Sequence, residues 1–324
     1  MTAIDVFNGD ADGICALLQL RQNKSGSGQN NQLVTGIKRD IQLLKQVSAQ
    51  DGDYVTVLDI SLDKNRDDLQ RILNHGAQVF YSDHHFYGAM PEHPNLTTCI
   101  NTDSDICTSL LINQYLDNSH YLWAVTGAFG DNLNHSALIL ATQHQLSSIQ
   151  FEQLKQLGIL INYNGYGADI HDLHFHPADL FKQLLPYNNP FNFINDSQSV
   201  FQKLKNGYDE DNKNISNLSS EYQTDKVALF ILPDAPWARR ISGIFSNELV
   251  NRYPDRAHAV VTYNKQGGYL ISVRAPLNNK TGADDLCRQF ETGGGRKAAA
   301  GINHLPTEQL DMFIKQFSQQ FTNN

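Results

Sequence analysis

The sequence predicts an α/β protein built from two domains, and three observations carry this prediction. Apolar runs of strand length alternate with helical patterns through the first 130 residues, which is typical of a parallel sheet covered by helices. The chain has 324 residues, more than one ordinary hydrophobic core accommodates. A polar stretch then precedes a second α/β pattern that begins near residue 227. We therefore predict a first domain at residues 1–190, a linker at 191–224 and a smaller domain at 225–324.

The elements of the first domain follow from hydrophobic periodicity and turn residues. Short runs rich in valine, isoleucine and phenylalanine predict strands, and apolar residues every three or four positions predict helices. A helix stops at Gly76, because glycine readily ends a helix in a left-handed conformation. Residues 105–186 have apolar side chains at helical spacing and predict a helical extension. In chain order, the predicted elements are strand 4–7, helix 14–21, strand 32–35, helix 41–47, strand 54–58, helix 67–74 and strand 77–81.

The linker and the second domain are predicted from a change in composition. Asparagine, aspartate, serine and lysine dominate residues 186–220 with little periodicity, which indicates a linker with some helix at 199–206. A second α/β pattern follows this segment. Its predicted elements are strand 227–232, helix 240–252, strands 257–263 and 269–273, and helix 309–321.

Acidic residues and histidines follow three of the predicted strands. Asp10 and Asp12 come after the first strand, Asp59 after the third, and the Asp-His-His tripeptide at 83–85 after the fourth. Because the carboxyl ends of parallel strands converge on one crevice, residues about 70 positions apart can share one ion. Each aspartate could instead form a turn that caps a following helix through backbone N–H groups, and the sequence leaves that alternative open.

These groups together favour a metal site with oxygen and imidazole ligands. Six acidic or imidazole groups in one crevice repel one another or lie idle unless cations neutralise them. Two divalent ions that share a bridging carboxylate neutralise such groups and activate water. The four cysteines occur singly, without the spacing of zinc sites, and predict buried, reduced thiols. The predicted chemistry is therefore hydrolysis of a phosphoester.

The order and spacing of these motifs resemble those of the DHH phosphoesterase superfamily over nearly the whole chain. Residues 8–13 resemble its first motif, Asp59 the second, residues 83–85 the third and residues 130–132 the fourth. The resemblance implies a parallel-sheet DHH catalytic domain followed by a smaller α/β DHHA1 domain. The segments that resemble the DHHA1 domain are residues 240–247, 272–274 and 293–295.

The resemblance also implies a ligand set for two metal ions. One ion would be held by Asp10 and Asp59. The other ion would be held by Asp12, Asp59, His84 and Asp131. Hard oxygen and imidazole ligands suit manganese or magnesium, and the resemblance favours manganese.

Two further residues of the third motif would assist, and two positions depart from the family pattern. The resemblance implies that His85 faces the phosphate and that Asp83 orients an imidazole or its loop. Many small-substrate members carry a histidine at the position of Val6, and nuclease-like members carry an aspartate at the position of Asn8. We therefore expect the first ion to be held partly by Asn8 and waters, with an occupancy that depends on substrate.

A glycine-rich segment near the C-terminus predicts an anion-binding site. Glycines let backbone N–H groups approach a phosphate closely, and an adjacent guanidinium can bind it with two hydrogen bonds. A flexible turn is the alternative interpretation. The family more often has histidine at the position of Arg296, which leaves the substrate class open. The resemblance also implies a second phosphate or nucleotide contact at Ser272 and Arg274. The predicted substrate-binding residues are therefore Ser272, Arg274, Gly293, Gly294, Gly295 and Arg296.

The charge is distributed unevenly between the two halves. The chain has a formal charge of −9, which divides into −12 for residues 1–224 (13 basic, 25 acidic) and +3 for residues 225–324 (12 basic, 9 acidic). This balance suits a small anionic substrate and disfavours long duplex DNA, which usually requires an extended basic stripe. No apolar run is long enough to span a bilayer, so we predict a cytoplasmic protein without a membrane partner. A homodimer is compatible with the sequence.

These inferences predict a manganese-dependent phosphodiesterase that hydrolyses short oligonucleotides or dinucleotides to mononucleotides through two-metal activation of water. Three alternatives stay open. The first is a single-strand-specific exonuclease, because the Asp-x-Asp-Gly form of the first motif is of that type. The second is a 3',5'-bisphosphonucleoside phosphatase, and the third is a nucleotide-binding sensor without catalysis.

Overall fold

The computed structural model of the protein describes residues 1–23, 31–196 and 198–322. The chain divides into two compact units. None of the described helices is both long enough and apolar enough to cross a membrane. The first unit contains Met1–Gly165 and Leu173–Lys205, and the second contains Tyr166–Asp172 and Asn206–Asn324.

Five parallel strands form the sheet of the first unit, namely β1 (Ala3–Phe7), β2 (Gln32–Val34), β3 (Tyr54–Leu58), β4 (Gln78–Asp83) and β5 (Leu96–Ile100). Their spatial order is β2-β1-β3-β4-β5. The chain passes from β1 to β2 on one side of β1 and then crosses to β3 on the other side, so the strand order reverses at β1. Open α/β sheets bind ligands outside the carboxyl ends of their strands at such a switch point. The residues that follow β1 and β3 therefore occupy the expected place of a functional site.

Helices cover this sheet and account for the helical extension. Its strands are apolar on both faces, as is typical of parallel strands buried between helices. Val6 and Val57 pack in one core cluster with Ile72, and Phe7 packs against Phe181 with ring centroids 5.6 Å apart. The helices are α1 (Ala11–Asn23), α2 (Arg66–Asn74), α3 (Thr108–Tyr115), α4 (Tyr121–Gly130), α5 (Asn134–Gln143), α6 (Ser148–Asn164), α7 (Pro177–Leu184) and α8 (Pro190–Asp196).

The prediction of a helix at residues 41–47 is wrong, because the segment forms only a 3₁₀ turn at Leu43–Gln46. The Arg71 side chain donates hydrogen bonds to the carbonyl oxygens of Leu44 and Val47, each at 3.0 Å. These carbonyl groups are therefore satisfied by a side chain of α2 and not by a continuing helix.

The linker predicted at 191–224 is largely helical. Helix α9 (Gln198–Lys213) is longer than the helix predicted at 199–206, and the boundary between the two units falls within it. Val200 and Leu204 are buried, so an apolar side stabilises the helix despite its polar composition. The segment ends in a 3₁₀ turn at Asn214–Asn217 and strand β6 (Tyr222–Gln223).

The second unit contains a mixed sheet of β6 and five further strands, which are β7 (Val227–Ile231), β8 (Ala257–Tyr263), β9 (Tyr269–Arg274), β10 (Gly293–Gly295) and β11 (Ala299–Leu305). Their order is β10-β11-β9-β8-β7-β6, and only β7 and β8 are parallel neighbours. One face of this sheet packs against aromatic residues of the C-terminal helix, Phe313 and Phe317 among them. The helices of this unit are α10 (Pro236–Arg252), α11 (Ala283–Cys287) and α12 (Leu310–Thr322).

His258 on β8 is fully buried, and we predict that its burial makes the stability of this unit depend on pH. Burial and the nearby charge of Arg256 lower the pKa of His258 to about 4. The unfolded chain keeps a histidine pKa of about 6.5, so it binds more protons than the folded protein between these values. The unfolding free energy should therefore fall as the pH falls through this window, by about 2 to 3 kcal/mol between pH 7 and pH 4.5.

We expect the variant His258→Leu to lose this part of the pH dependence. Urea unfolding of the parent and the variant at pH 7 and pH 4.5 measures the difference. The parent should lose more stability on acidification than the variant. Equal losses in the two proteins would contradict the prediction.

Candidate metal centre

Asp10 and Asp12 enter the crevice at the junction of β1 and α1. Oδ1 of Asp10 accepts hydrogen bonds from the backbone N–H groups of Asp12 (3.0 Å) and Gly13 (3.1 Å). Asp10 therefore caps α1, as the turn interpretation allowed, but only through one oxygen. Its other oxygen, Oδ2, accepts a hydrogen bond from the Lys38 ammonium group.

The start of α3 holds the buried carboxylate of Asp12. Its two oxygens accept hydrogen bonds from the backbone N–H groups of Thr108 (2.8 Å) and Ser109 (2.7 Å). These are the first donors of a helix, whose N-terminus favours negative charge. The Thr108 hydroxyl also donates to Oδ1 of Asp59 at 3.2 Å. Thr108 was not predicted as a site residue, because the sequence gives no sign of the partner of its helix terminus.

Asp59 follows β3 in a left-handed backbone conformation, with φ at 58°. Aspartate and asparagine tolerate this conformation better than most residues with a Cβ atom. Its backbone N–H donates to the carbonyl oxygen of Ser82 at 3.0 Å, which fixes the turn against β4. The strained turn is a feature that often accompanies functional sites.

His84 and His85 are oriented by different partners. Nδ1 of His84 lies 2.9 Å from the carbonyl oxygen of Ile106, which as acceptor requires the proton on Nδ1 and leaves Nε2 as the ligand atom. This Nε2 lies 3.2 Å from Oδ1 of Asp59. Nδ1 of His85 lies 2.7 Å from Oδ1 of Asp83. An orienting role for Asp83 is what the family resemblance implied.

The electrostatics of Asp83 fit that pairing. Burial alone would raise the pKa of the Asp83 carboxyl, but the charge and hydrogen bond of His85 outweigh burial and lower it. The second oxygen of Asp83, Oδ2, is buried without a hydrogen-bond partner among the described residues. Asp83 therefore favours the ionised form that holds the His85 ring.

Asp131 reaches the crevice from the end of α4. Gly130 permits a close approach of α4 to α1, since a Cβ atom there would lie 2.2 Å from Cβ of Ala11. Oδ2 of Asp131 lies 3.9 Å from Nε2 of His84. Oδ2 of Asp12 lies 3.7 Å from the same Nε2 atom of His84.

Four of the predicted ligands, Asp12, Asp59, His84 and Asp131, fall into two groups that share His84, and His85 joins one of these groups. Within each group, one candidate ligand atom per residue lies within 4.8 Å of the others. Among the residues that the structure describes, Asp10 and Asp83 belong to neither group. The two groups are Asp59, His84 and His85, and Asp12, His84 and Asp131.

The charge of this cluster fits a divalent cation. Burial and the neighbouring carboxylates, Asp12 and Asp10 foremost, raise the pKa of Asp59 well above its ordinary value. Buried carboxylates this close repel one another unless a cation compensates them. Oxygen and imidazole donors without sulfur suit magnesium or manganese.

Lys38 is a residue of the site that the sequence analysis missed. Its ammonium nitrogen contacts Oδ2 of Asp10 and lies 3.3 Å from Oδ1 of Asn162 and 3.7 Å from Oδ1 of Asp131. Burial alone would raise the pKa of Asp10, but the charge of Lys38 contributes to lowering it. The one available signal was its position after β2, which the switch-point topology places beside β1.

The predicted substrate-binding residues lie in the second unit. Ser272 and Arg274 are on β9, where Nε of Arg274 donates to Oδ1 of Asn247 on α10 at 2.8 Å. The glycines predicted as a phosphate loop form strand β10, which pairs with β11. The lack of a side chain serves this pairing, since a Cβ on Gly295 would lie 2.5 Å from Cα of Ala300 on β11. Arg296 follows the strand of the three glycines, Gly293, Gly294 and Gly295.

Comparison with known proteins identifies the fold. No protein-family model matches the sequence, and no curated protein matches it significantly. A solved DHH domain, described as belonging to a member of a family of ribosomal proteins, superposes with a TM-score of 0.67 at 12% identity, over 98% of this chain and 86% of that one. The exonuclease RecJ bound to manganese gives a TM-score of 0.58 at 16% identity, over 98% and 89% of the two chains.

A third structure extends this comparison. RecJ from Thermus thermophilus, in complex with Mn²⁺, gives a TM-score of 0.62 at 16% identity. The match covers the whole of this chain and only 52% of that RecJ. This chain therefore spans about half the length of the Thermus protein. The protein has the fold of the DHH-domain structures, and the predicted α/β class, with a parallel sheet followed by a second α/β unit, is confirmed.

Proposed function

We propose that the protein is a metal-dependent phosphodiesterase that hydrolyses dinucleotides or short oligonucleotides to mononucleotides. The observation that carries this proposal is the convergence of Asp12, Asp59 and Asp131 on Nε2 of His84. These groups lie beyond the carboxyl ends of parallel strands in a fold shared with metal-bound nucleases.

Each residue of the cluster has a role in this proposal. The metal ligands are Asp12, Asp59, His84 and Asp131. A divalent cation held there would lower the pKa of water and offset charge on the phosphoryl oxygens. His85 is 26% exposed, and its Nδ1 is held by Asp83, so Nε2 is the nitrogen that can reach a phosphoryl oxygen. Asp83 keeps the ring in that orientation.

The charge of the chain supports a small substrate. Residues 1–224 carry −12, which repels an extended polyanion, whereas residues 225–324 carry +3. We propose that Arg274 and Arg296 bind the phosphate or nucleotide of the substrate. A short substrate has few phosphates and avoids most of the repulsion by the acidic half.

A second candidate function is single-strand-specific exonuclease action. The similarity to structures of the exonuclease RecJ favours it, although this chain spans only half of the Thermus protein. A long single strand is usually bound by an extended basic groove with aromatic side chains. The two functions therefore differ in the length of substrate that is hydrolysed best.

A paired digestion distinguishes them. A labelled dinucleotide and a labelled long single strand are each digested with Mn²⁺, and kcat/KM is compared. We expect roughly tenfold or greater preference for the dinucleotide, because few phosphates approach the acidic half. The variant Asp131→Asn is the control, since it should reduce hydrolysis of both substrates. A higher kcat/KM for the long strand would favour the exonuclease instead.

A chromogenic assay separates catalysis from nucleotide sensing. Bis(p-nitrophenyl) phosphate with Mn²⁺ should be hydrolysed by the parent protein and not by Asp131→Asn. Binding of nucleotide without turnover of either this compound or a dinucleotide would contradict the enzymatic function.

A further inference from the structure

We propose that the Lys38 ammonium group takes the place of one of the two cations that the motifs predict, so that the protein binds a single divalent ion. The inference rests on the proposed function only for the presence of that ion, which would be held by Asp12, Asp59, His84 and Asp131. Lys38 would act as a fixed positive charge beside it.

Side-chain oxygen atoms surround the ammonium group of Lys38. It contacts Oδ2 of Asp10, which is 2% exposed, and lies 3.3 Å from Oδ1 of Asn162. Oδ1 of Asp131 lies 3.7 Å away, while Oδ2 of that residue faces His84. An ammonium group has three donors and a single positive charge, and these oxygens satisfy it as they would a small cation.

Two hydrogen bonds fix the backbone of Lys38. Its N–H donates to the carbonyl oxygen of Gly165 at 2.8 Å, and its carbonyl oxygen accepts from Nδ2 of Asn8 at 3.2 Å. An ionised aspartate at position 8 would have no proton to donate to that carbonyl group. Asn8 thus supports the backbone of the lysine in a way that a carboxylate could not.

Few groups on the side of Asp10 can hold a second cation. Val6 is fully buried in the apolar core and offers no ligand atom. Nδ2 of Asn8 donates to the Lys38 carbonyl oxygen, whereas Oδ1 of Asn8 is buried without a hydrogen-bond partner among the described residues and could act as a ligand. A second cation held by Asp10 and this amide oxygen would contact the Lys38 ammonium group, which already occupies Oδ2 of Asp10.

The charges of the crevice agree with one ion. Asp10, Asp12, Asp59 and Asp131 carry four negative charges when ionised. One divalent ion and Lys38 supply three positive charges, and the N-terminus of α3 adds a partial positive charge at Asp12. A second divalent ion at Asp10 would lie against the ammonium group and be repelled by it.

Metal stoichiometry tests the proposal without using turnover. Metal-free parent protein is titrated with Mn²⁺ by calorimetry, and bound Mn is counted by mass spectrometry after desalting. Electron paramagnetic resonance of the parent adds a measurement that needs no variant, since two adjacent Mn²⁺ ions couple and one ion does not. We expect one uncoupled Mn²⁺ per chain.

The variants Lys38→Ala and Lys38→Arg complete the test. Lys38→Ala, with Asp10 released, should bind two ions, and Lys38→Arg, which keeps the charge, should bind one. Two ions in the parent, or one ion in Lys38→Ala, would overturn the role of Lys38 and leave the proposed function standing. A parent that binds no Mn²⁺ would overturn the proposed function together with this inference.

Discussion

Asp59→Asn should reduce the rate of dinucleotide hydrolysis about 1,000-fold, equivalent to about 4 kcal/mol of transition-state stabilisation. The side chain lies 3.2 Å from Nε2 of His84 and belongs to a candidate ligand group. Asparagine keeps the shape of the side chain and tolerates the left-handed backbone at φ 58°. The substitution therefore removes the charge without straining the turn.

The same variant should be at least as stable as the parent when metal is removed. Burial and neighbouring carboxylates raise the pKa of Asp59 well above its ordinary value, so its ionised form is unfavourable in the metal-free fold. Melting temperatures in a chelator and in Mn²⁺ measure this effect. We expect Mn²⁺ to raise the melting temperature of the parent far more than that of Asp59→Asn.

Asp103→Asn is the matched control, because Asp103 is an exposed carboxylate outside both candidate ligand groups. It should leave both hydrolysis and the effect of Mn²⁺ unchanged. Full activity of Asp59→Asn, or an unchanged response of its melting temperature to Mn²⁺, would show that Asp59 does not hold the metal.

The strand ends explain why much of this crevice could be predicted. Asp10, Asp12 and Asp59 follow β1 and β3, and parallel topology alone brings such residues to one edge of the sheet. Asp131 is different, because it lies at a helix end and only the family resemblance singled it out. Asp131 reaches the crevice because Gly130 lets α4 approach α1 closely at Ala11. Gly130 and Ala11 are far apart in the sequence, so this contact could not be predicted from local patterns.

Lys38 and Thr108 could not be predicted, since their importance depends on a partner that the sequence does not reveal. A lysine after a strand and a threonine at a helix start are ordinary surface and capping residues. The polar composition of α9 was misleading for a similar reason. Its helix is stabilised by burial of a few residues such as Val200 and Leu204, while the exposed side has the composition of a linker.

Asp172→Ala should destabilise the second unit by about 3 to 5 kcal/mol, because it leaves the Arg239 guanidinium without its buried partner. The segment Tyr166–Asp172 belongs to this unit although it is far in sequence from the rest. Asp172 accepts hydrogen bonds from Nε (2.9 Å) and Nη2 (3.2 Å) of Arg239. The side chains of the two residues are 3% and 6% exposed. Urea unfolding at pH 7 measures the loss.

The double variant Asp172→Leu with Arg239→Met should recover much of that stability, since replacing both partners leaves no buried charge unpaired. Arg288→Met is the control for an exposed pair: its side chain is 41% exposed and its Nη2 lies 3.9 Å from Oδ2 of Asp284, so we expect a loss of about 1 kcal/mol or less. The single variants Asp172→Leu and Arg239→Met close the double-mutant cycle. If their losses simply add in the double variant, then the two side chains stabilise the unit independently and the buried pair does not anchor the segment.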